Sequence, residues 1–370
     1  MKILILLGGG RSGSDFFHSL TDGHSQILQF PGPRVTENLE IILNFKTPEL
    51  IAKSFVKYNQ EFFDSRACKF ERWDKLGSQK NKFFRVNKKK FIYNFVKIIK
   101  KNKNNSNLDI LKNLHFAFFL KRNKKINNIK ILLIHTHILP WTKKFIKLLD
   151  LKKFDIIYTI RHPLASISSS ITAWLNYKNG SSYFSKNLYS HFNLTLNGLN
   201  DLQKLTKNKA YVVKLENLHT KNKQLMKNFS KKFKIQHQNC LSKSTKLGLK
   251  WWGDKVSKKW LSGVNQNYKI NINKEYFYKR DLSFFQFTAS HIIQKYKYNF
   301  IFEKKRIYFN ILPMKCELLI WKNTIKHLFT QGVRWKHLLS IPIFYILRIV
   351  LLNKIVINSK KNNLPKTILN

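Results

Sequence analysis

Met1–Pro31 reads MKILILLGGGRSGSDFFHSLTDGHSQILQFP. After one lysine, Ile3–Leu7 is an unbroken apolar run, and Gly8, Gly9 and Gly10 follow at once. Arg11-Ser12-Gly13-Ser14 comes next, and an apolar periodic segment begins at Phe16. This order predicts a short buried strand, a glycine turn and the start of a helix. The run is too short for the core of a secretion signal, and no small-residue cleavage site follows it. It reads instead as the first strand of an α/β sheet. A glycine turn in that position suits an anion, because bare backbone can come close to a ligand and point amides at it.

Three phosphate loops compete for the turn. A nucleotide-hydrolysing loop needs G-x-x-x-x-G-K-[ST]. Gly8 and Gly13 have the spacing, but Ser14 replaces the lysine and Asp15 the magnesium-binding hydroxyl, which rejects that reading. Gly8, Gly10 and Gly13 match the dinucleotide fingerprint G-x-G-x-x-G. That fingerprint also wants an acid about 20 residues on, at the end of a second strand. The position falls near Phe30 and Pro31, and the nearest acid, Glu37, lies beyond two prolines. The third reading rests on Arg11-Ser12-Gly13-Ser14. It resembles the 5′-phosphosulfate loop of sulfotransferases that use 3′-phosphoadenosine 5′-phosphosulfate, of the form [KR]-[ST]-G-[ST]-[ST]. Asp22-Gly23-His24-Ser25 resembles the Asp-Ala-His-Pro segment that follows the helix in that family.

Two later strands strengthen the resemblance. Ile131–Ile134 is a buried run ending in His135-Thr136-His137-Ile138-Leu139-Pro140. Open α/β sheets put ligands at such carboxyl ends. Cytosolic sulfotransferases carry Lys-Thr-His-Leu-Pro there, with the histidine as general base. Thr136, His137 and Pro140 match, His135 replaces the lysine, and Ile138 is an extra residue. Histidine is suited to take a hydroxyl proton near neutral pH. As a metal site, His-x-His alone lacks a third ligand at a suitable spacing. Next, Phe154–Ile160 predicts a strand running into Arg161-His162-Pro163 and a serine-rich helix. The family holds the 3′-phosphate with an arginine at a strand end and a serine eight residues later, and Arg161 and Ser169 have that spacing. A guanidinium fork and a hydroxyl suit a dianionic phosphate.

The composition is compatible with this. The 370 residues, 43% hydrophobic, are enough for one large α/β domain with appendages. The formal net charge is +50, which points first to nucleic acid or an anionic membrane. Of the 69 basic residues only 11 are arginine, the residue that nucleic-acid readers favour, and the lysine bias resembles AT-rich codon usage. Nucleic acid is therefore disfavoured. Three isolated cysteines fit a reduced, cytoplasmic compartment.

Along the rest of the chain, residues 37–65, 91–99, 108–120, 183–209 and 225–235 read as helical. The lysine- and asparagine-rich stretch of about 60–130 reads as an insert. Ala210–Leu218 reads as a strand resembling one that ends Tyr-Glu-Asp-Leu in the family, with Glu216 structural. Lys258, Lys259 and Gly263 are the nearest match to the family's late basic loop, and Trp251 and Trp252 either pack or stack on a base. Leu338–Ile357 is apolar but interrupted by Pro342, Arg348 and Lys354. It reads as too short and too charged to span a membrane, and predicts a helix docked on the core or lying on the inner membrane face.

The predicted fold is a central, mostly parallel sheet flanked by helices, of the P-loop-like sulfotransferase kind. Residues 1–300 form the α/β domain and 301–370 an extension. The resemblance implies sulfuryl transfer from 3′-phosphoadenosine 5′-phosphosulfate to a hydroxyl or amine, on a carbohydrate or glycolipid, without a metal. It implies that Gly10, Arg11, Ser12, Gly13, Ser14, Asp15 and Phe16 hold the 5′-phosphosulfate. Arg161 and Ser169 would hold the 3′-phosphate, with His137 as base and Arg11 on the leaving oxygen. A dinucleotide enzyme and a charge-driven membrane or nucleic-acid binder are the alternatives.

Overall fold

The first strand, β1 (Lys2–Gly8), is buried from Ile3 to its end, as a strand covered on both faces must be. The computed structural model describes residues 1–33, 35–101, 105–119, 128–137, 139–176, 184–206, 210–256, 260–302, 311–331, 335–358 and 364–368. With β2 (Ile27–Leu28), β3 (Ile131–His135), β4 (Asp155–Ile160) and β5 (Ala210–Lys214), β1 builds a wholly parallel sheet. A short hairpin, β6 (Thr245–Lys246) and β7 (Leu249–Lys250), stands apart from it. The last strand, β8 (Lys366–Thr367), returns to the sheet and pairs with β5.

The order across the sheet is β2-β3-β1-β4-β5-β8. A dinucleotide fold of the 3-2-1-4-5-6 order places β2 beside β1. Here β3 occupies that place, which removes the topological support for the dinucleotide reading. The chain leaves β1 toward β2 on one side, and leaves β4 toward β5 on the other. The carboxyl ends of β1 and β4 therefore form a switch point, where open α/β sheets open a crevice. Register puts Leu6 opposite His135 and Gly8 opposite Thr159. All three motifs read from the sequence thus end at one edge.

Within the 60–130 stretch, helices Gln60–Phe63, Lys88–Lys100 and Asn107–Phe119 pack through phenylalanines. Phe63 meets Phe91 at 4.9 Å and Phe118 at 5.6 Å between ring centroids. The irregular chain between the first two helices reaches back to the site and bridges Glu71 to Asp254.

Two expectations need correction. The strand read as Ala210–Leu218 stops at Lys214, and Leu215–Thr220 is a helix. The reason is Glu216, which accepts the His162 backbone amide at 2.9 Å and the Tyr298 hydroxyl at 3.0 Å, so the chain must turn there. Within the extension 301–370, β8 completes the sheet edge. Its helix Lys336–Asn358 packs on helix Ser185–Thr206, with Tyr189 and Phe344 rings 5.6 Å apart. By length and composition, Lys336–Ile357 is long enough to cross a membrane, contrary to the expectation that it is too short.

Candidate active site

The glycine turn is built by close approach. A Cβ on Gly8 would stand 2.7 Å from both Ser12 Oγ and Thr159 Oγ1, so the turn folds tightly onto β4. Gly13 has φ +90°, and a Cβ there would meet Leu215 Cδ1 at 2.5 Å. Only glycine fits on both grounds. Arg11 also takes the left-handed conformation, at φ 54°. Its Nη1 donates to Asp254 Oδ2 at 2.9 Å, while its Nε is buried without a hydrogen-bond partner among the described residues. The Ser12 hydroxyl lies 3.0 Å from Thr159 Oγ1 and is committed to the fold, so Ser12 can serve a ligand only through its amide.

The end of β3 carries a wired set of titratable groups. Asp15 enters from the first turn of helix Ser14–Leu20. Its Oδ2 lies 3.3 Å from His137 Nε2 and its Oδ1 3.8 Å from His135 Nδ1. Burial works to raise the Asp15 pKa. The charge and hydrogen bond of His137, with the charge of Lys246 beyond them, outweigh it and hold the carboxyl well below the usual range. Burial likewise works against the His137 imidazolium, but Asp15 and then Glu37 raise its pKa above 6.5. His137 keeps 45% of its side chain in water, so charge governs it. His135 is the opposite case. Burial pushes its pKa well below the usual value, and neither ring nitrogen has a hydrogen-bond partner among the described residues. It stacks on His18 with ring centroids 4.9 Å apart.

Beneath this set lies Lys246. Its Nζ donates to Pro31 O at 2.8 Å and stands 3.0 Å from His18 Nδ1. Burial lowers its pKa. The hairpin that carries it turns at Leu247 and Gly248, both with positive φ. Asp22 holds it there by accepting Thr245 Oγ1 at 2.7 Å and the Gly248 amide at 2.8 Å. The Asp22-Gly23-His24 segment is therefore a brace for the site. Glu71 closes the floor. It accepts Trp251 Nε1 at 3.0 Å, and burial, then the charges of Asp15 and Asp254, push its pKa well above the usual range.

At the end of β4 the donors stand open. Arg161 Nε is buried without a hydrogen-bond partner among the described residues, and so is the Ser170 hydroxyl. Burial raises the Tyr268 phenol pKa against the charge and hydrogen bonding of Arg161, which places the two side by side. Tyr268 stacks on His219 at 4.6 Å, and His219 on Phe16 at 4.5 Å, so a pile of rings joins the late loop to the glycine turn. The Ser166 hydroxyl donates to Gly10 O. A Cβ on Gly10 would lie 3.6 Å from Ser170 Oγ. Ser169 is half-buried on the same helix, one residue before the serine that meets the turn.

Sequence reasoning missed Glu71, Asp254, Lys246, Ser170 and Tyr268. Only Tyr268 carried a faint signal, as an aromatic residue in the late glycine-containing stretch. Lys258 and Lys259 lie outside the described residues. Trp251 and Trp252 pack, the latter donating Nε1 to Gly77 O at 2.7 Å. Asp15 turns its carboxylate to the histidines, so only its amide is left to face an anion. Asp15, His135 and His137 also offer ligand atoms all within 4.8 Å of one another, which supplies the third metal ligand that the sequence lacked. The ammonium of Lys246 beside them opposes a divalent ion, and His137 already has a partner in Asp15.

No protein-family model and no curated protein matches the chain. Among solved structures, it is similar to the sulfotransferase domain of the Synechococcus PCC 7002 olefin synthase. The TM-score is 0.38 at 14% identity, over 67% of this chain and 79% of that domain. It is also similar to the sulfotransferase domain from the curacin biosynthetic pathway. There the TM-score is 0.40 at 14% identity, over 82% of this chain and 94% of that domain.

Proposed function

We propose that this chain transfers a sulfuryl group from 3′-phosphoadenosine 5′-phosphosulfate to an acceptor hydroxyl. The observation that carries the reading is the meeting of three motifs at the carboxyl ends of adjacent strands, two of them with a buried arginine Nε that lacks a hydrogen-bond partner among the described residues. Buried donors without partners are costly, and an anionic ligand relieves that cost. Arg161, with Tyr268 beside it, would hold the 3′-phosphate together with Ser169, and Ser170 lies against the Gly10 turn. Backbone amides of residues 10–16 would hold the 5′-phosphosulfate. Arg11 keeps its Nε free for the bridging oxygen while Asp254 fixes its outer edge.

His137 would accept the proton of the acceptor hydroxyl. Bound to Asp15 through Nε2, its imidazole has its free lone pair on Nδ1, which is the atom that takes the proton. The acceptor oxygen forms a bond to sulfur, and the bond from sulfur to the 5′-phosphate oxygen breaks. The electron pair leaves with 3′-phosphoadenosine 5′-phosphate, next to Arg11. Fixed donors at a preorganised site suffice for this charge. A carbohydrate or lipid-linked sugar suits the class of acceptor, in a cytoplasmic setting.

Thermal shift with 3′-phosphoadenosine 5′-phosphate, adenosine 5′-phosphate, ATP and NAD tests the reading. The first ligand should stabilise the chain most. Stabilisation by NAD alone would overturn it in favour of a dinucleotide enzyme, and no shift with any nucleotide would remove the cofactor.

A further inference from the structure

The C-terminal helix Lys336–Asn358 has two faces of opposite use. One face is docked. Leu351, Leu352 and Ile355 are buried, and Arg348 is buried in a two-point ion pair. Its Nε and Nη2 donate to Glu317 Oε1 and Oε2 at 3.0 and 2.9 Å. The other face is bare. Leu339, Ile343, Ile346, Val350 and Ile357 are each between 56% and 74% exposed. Steps of three, four and seven residues set them on one stripe of the helix, opposite Arg348. Lys354 stands exposed on the same stripe, four residues after Val350.

The preceding helix, Lys315–Gln331, repeats the pattern. Leu318, Ile325 and Phe329 are exposed at spacings of seven and four, and Lys322 sits exposed between them. Trp335, between the two helices, is 64% exposed. The two helices are fastened together by the Arg348–Glu317 pair and by a Trp321–Tyr345 edge contact at 5.5 Å.

We infer that these stripes form a surface that lies in the plane of an anionic lipid bilayer. Charge selects that occupant. Residues 301–370 contain thirteen lysines and arginines against two glutamates. One of the two glutamates, Glu317, is already neutralised by Arg348. Apolar stripes edged with lysine, with a tryptophan beside them, match the interfacial region of a membrane with negative headgroups. A second copy of this chain would bring the same lysines face to face. A spanning arrangement would strip the docked face and leave the Arg348–Glu317 pair without its surroundings, so the helix lies on the bilayer and does not cross it. This holds whatever reaction the strand ends perform.

Removing the whole extension would not test this, because β8 belongs to the sheet. The test uses the full chain and the variant Ile343→Glu/Ile346→Glu/Val350→Glu, whose positions are exposed. Folding of both is checked by circular dichroism and by nucleotide thermal shift. Both are sedimented with vesicles of phosphatidylcholine alone and with about 30% phosphatidylglycerol. The wild-type chain should bind the anionic vesicles, and the variant at least about tenfold more weakly. It should bind neutral vesicles poorly and leave membranes in alkaline carbonate. Equal binding by the variant would overturn the apolar stripe, and no binding by the wild type would overturn the surface. Resistance to carbonate would mean that the helix spans. A wild-type dimer that the variant breaks, without vesicle binding, would assign the face to a second copy.

Discussion

The ends of β3 and β4 are built on opposite plans. At β3, Asp15, His18, His135, His137 and Lys246 face one another closely enough to set one another's charge. At β4, Arg161 Nε and the Ser170 hydroxyl are buried without a hydrogen-bond partner among the described residues. Under the proposed function the first plan would serve a proton transfer, because acid–base work needs partners that fix charge and tautomer in advance. The second would serve binding, because a buried donor without a partner favours whatever ligand completes it. On this contrast, damage at β3 should slow turnover and spare affinity. Damage at β4 should do the reverse.

The largest effect is expected at His137. His137→Ala should lower single-turnover sulfuryl transfer by a factor of about 10²–10⁴. Binding of 3′-phosphoadenosine 5′-phosphate, measured by calorimetry, should barely change. The pH profile sharpens this. A base works neutral, so turnover should rise with pH through a His137 pKa that Asp15 and Glu37 hold above 6.5. Asp15→Asn removes that charge and should move the limb toward lower pH. A limb that stays in place would mean that the titrating group is not His137.

Next in size is Arg161. Loss of a charge-assisted contact costs roughly 1.5–3 kcal/mol, about tenfold or more in affinity. Arg161→Ala should therefore weaken binding of 3′-phosphoadenosine 5′-phosphate by that factor. Binding of adenosine 5′-phosphate, which lacks the 3′-phosphate, should change little. Equal weakening of both ligands would break the assignment and, with it, the contrast between the two ends.

How much of this is legible in the sequence follows from range. β1, β3 and β4 are continuous apolar runs, and each ends in a local motif, so residues read in order suffice for them. The β6–β7 hairpin and β8 are two-residue strands, and two residues carry no period. Arg11 and Asp254 are 243 residues apart, His18 and Lys246 are 228 apart, and Glu71 and Trp251 are 180 apart. No spacing rule spans such distances, so the partners that tune the motifs stay hidden until the fold joins them. Asp15 shows the effect best. As a residue in a phosphate loop it reads as a departure, and only β3 beside it explains the carboxylate. Arg348 shows the converse. In the sequence it reads as an interruption of an apolar run, yet in the fold it is the anchor of the docked face.

The smallest effect on turnover belongs to His135, and it is the sharpest test of the contrast within one strand end. His137 lies two residues beyond the end of β3, yet its ring centroid is 4.7 Å from that of His135. Position cannot tell them apart, but environment can. His135 is buried, its pKa is pushed well below the usual value, and neither ring nitrogen has a hydrogen-bond partner among the described residues, so it does not easily take a proton. His135→Leu should keep turnover within about threefold of wild type. Removing an unsatisfied buried polar group is near neutral or stabilising, so the melting temperature at pH 8 should hold or rise. The sign of the pH effect follows from linkage. The unfolded chain binds a proton at His135 near pH 6.5 and the folded chain does not, so wild-type stability falls as pH drops below that value. Without His135 the fall should be shallower, though not absent, since His18 and His115 are also buried with lowered pKa values, that of His115 about 3. Denaturant titrations at pH 8 and pH 5 measure the difference. A turnover loss as large as that of His137→Ala would make His135 the base. An unchanged acid slope would mean that the folded chain already carries the proton there.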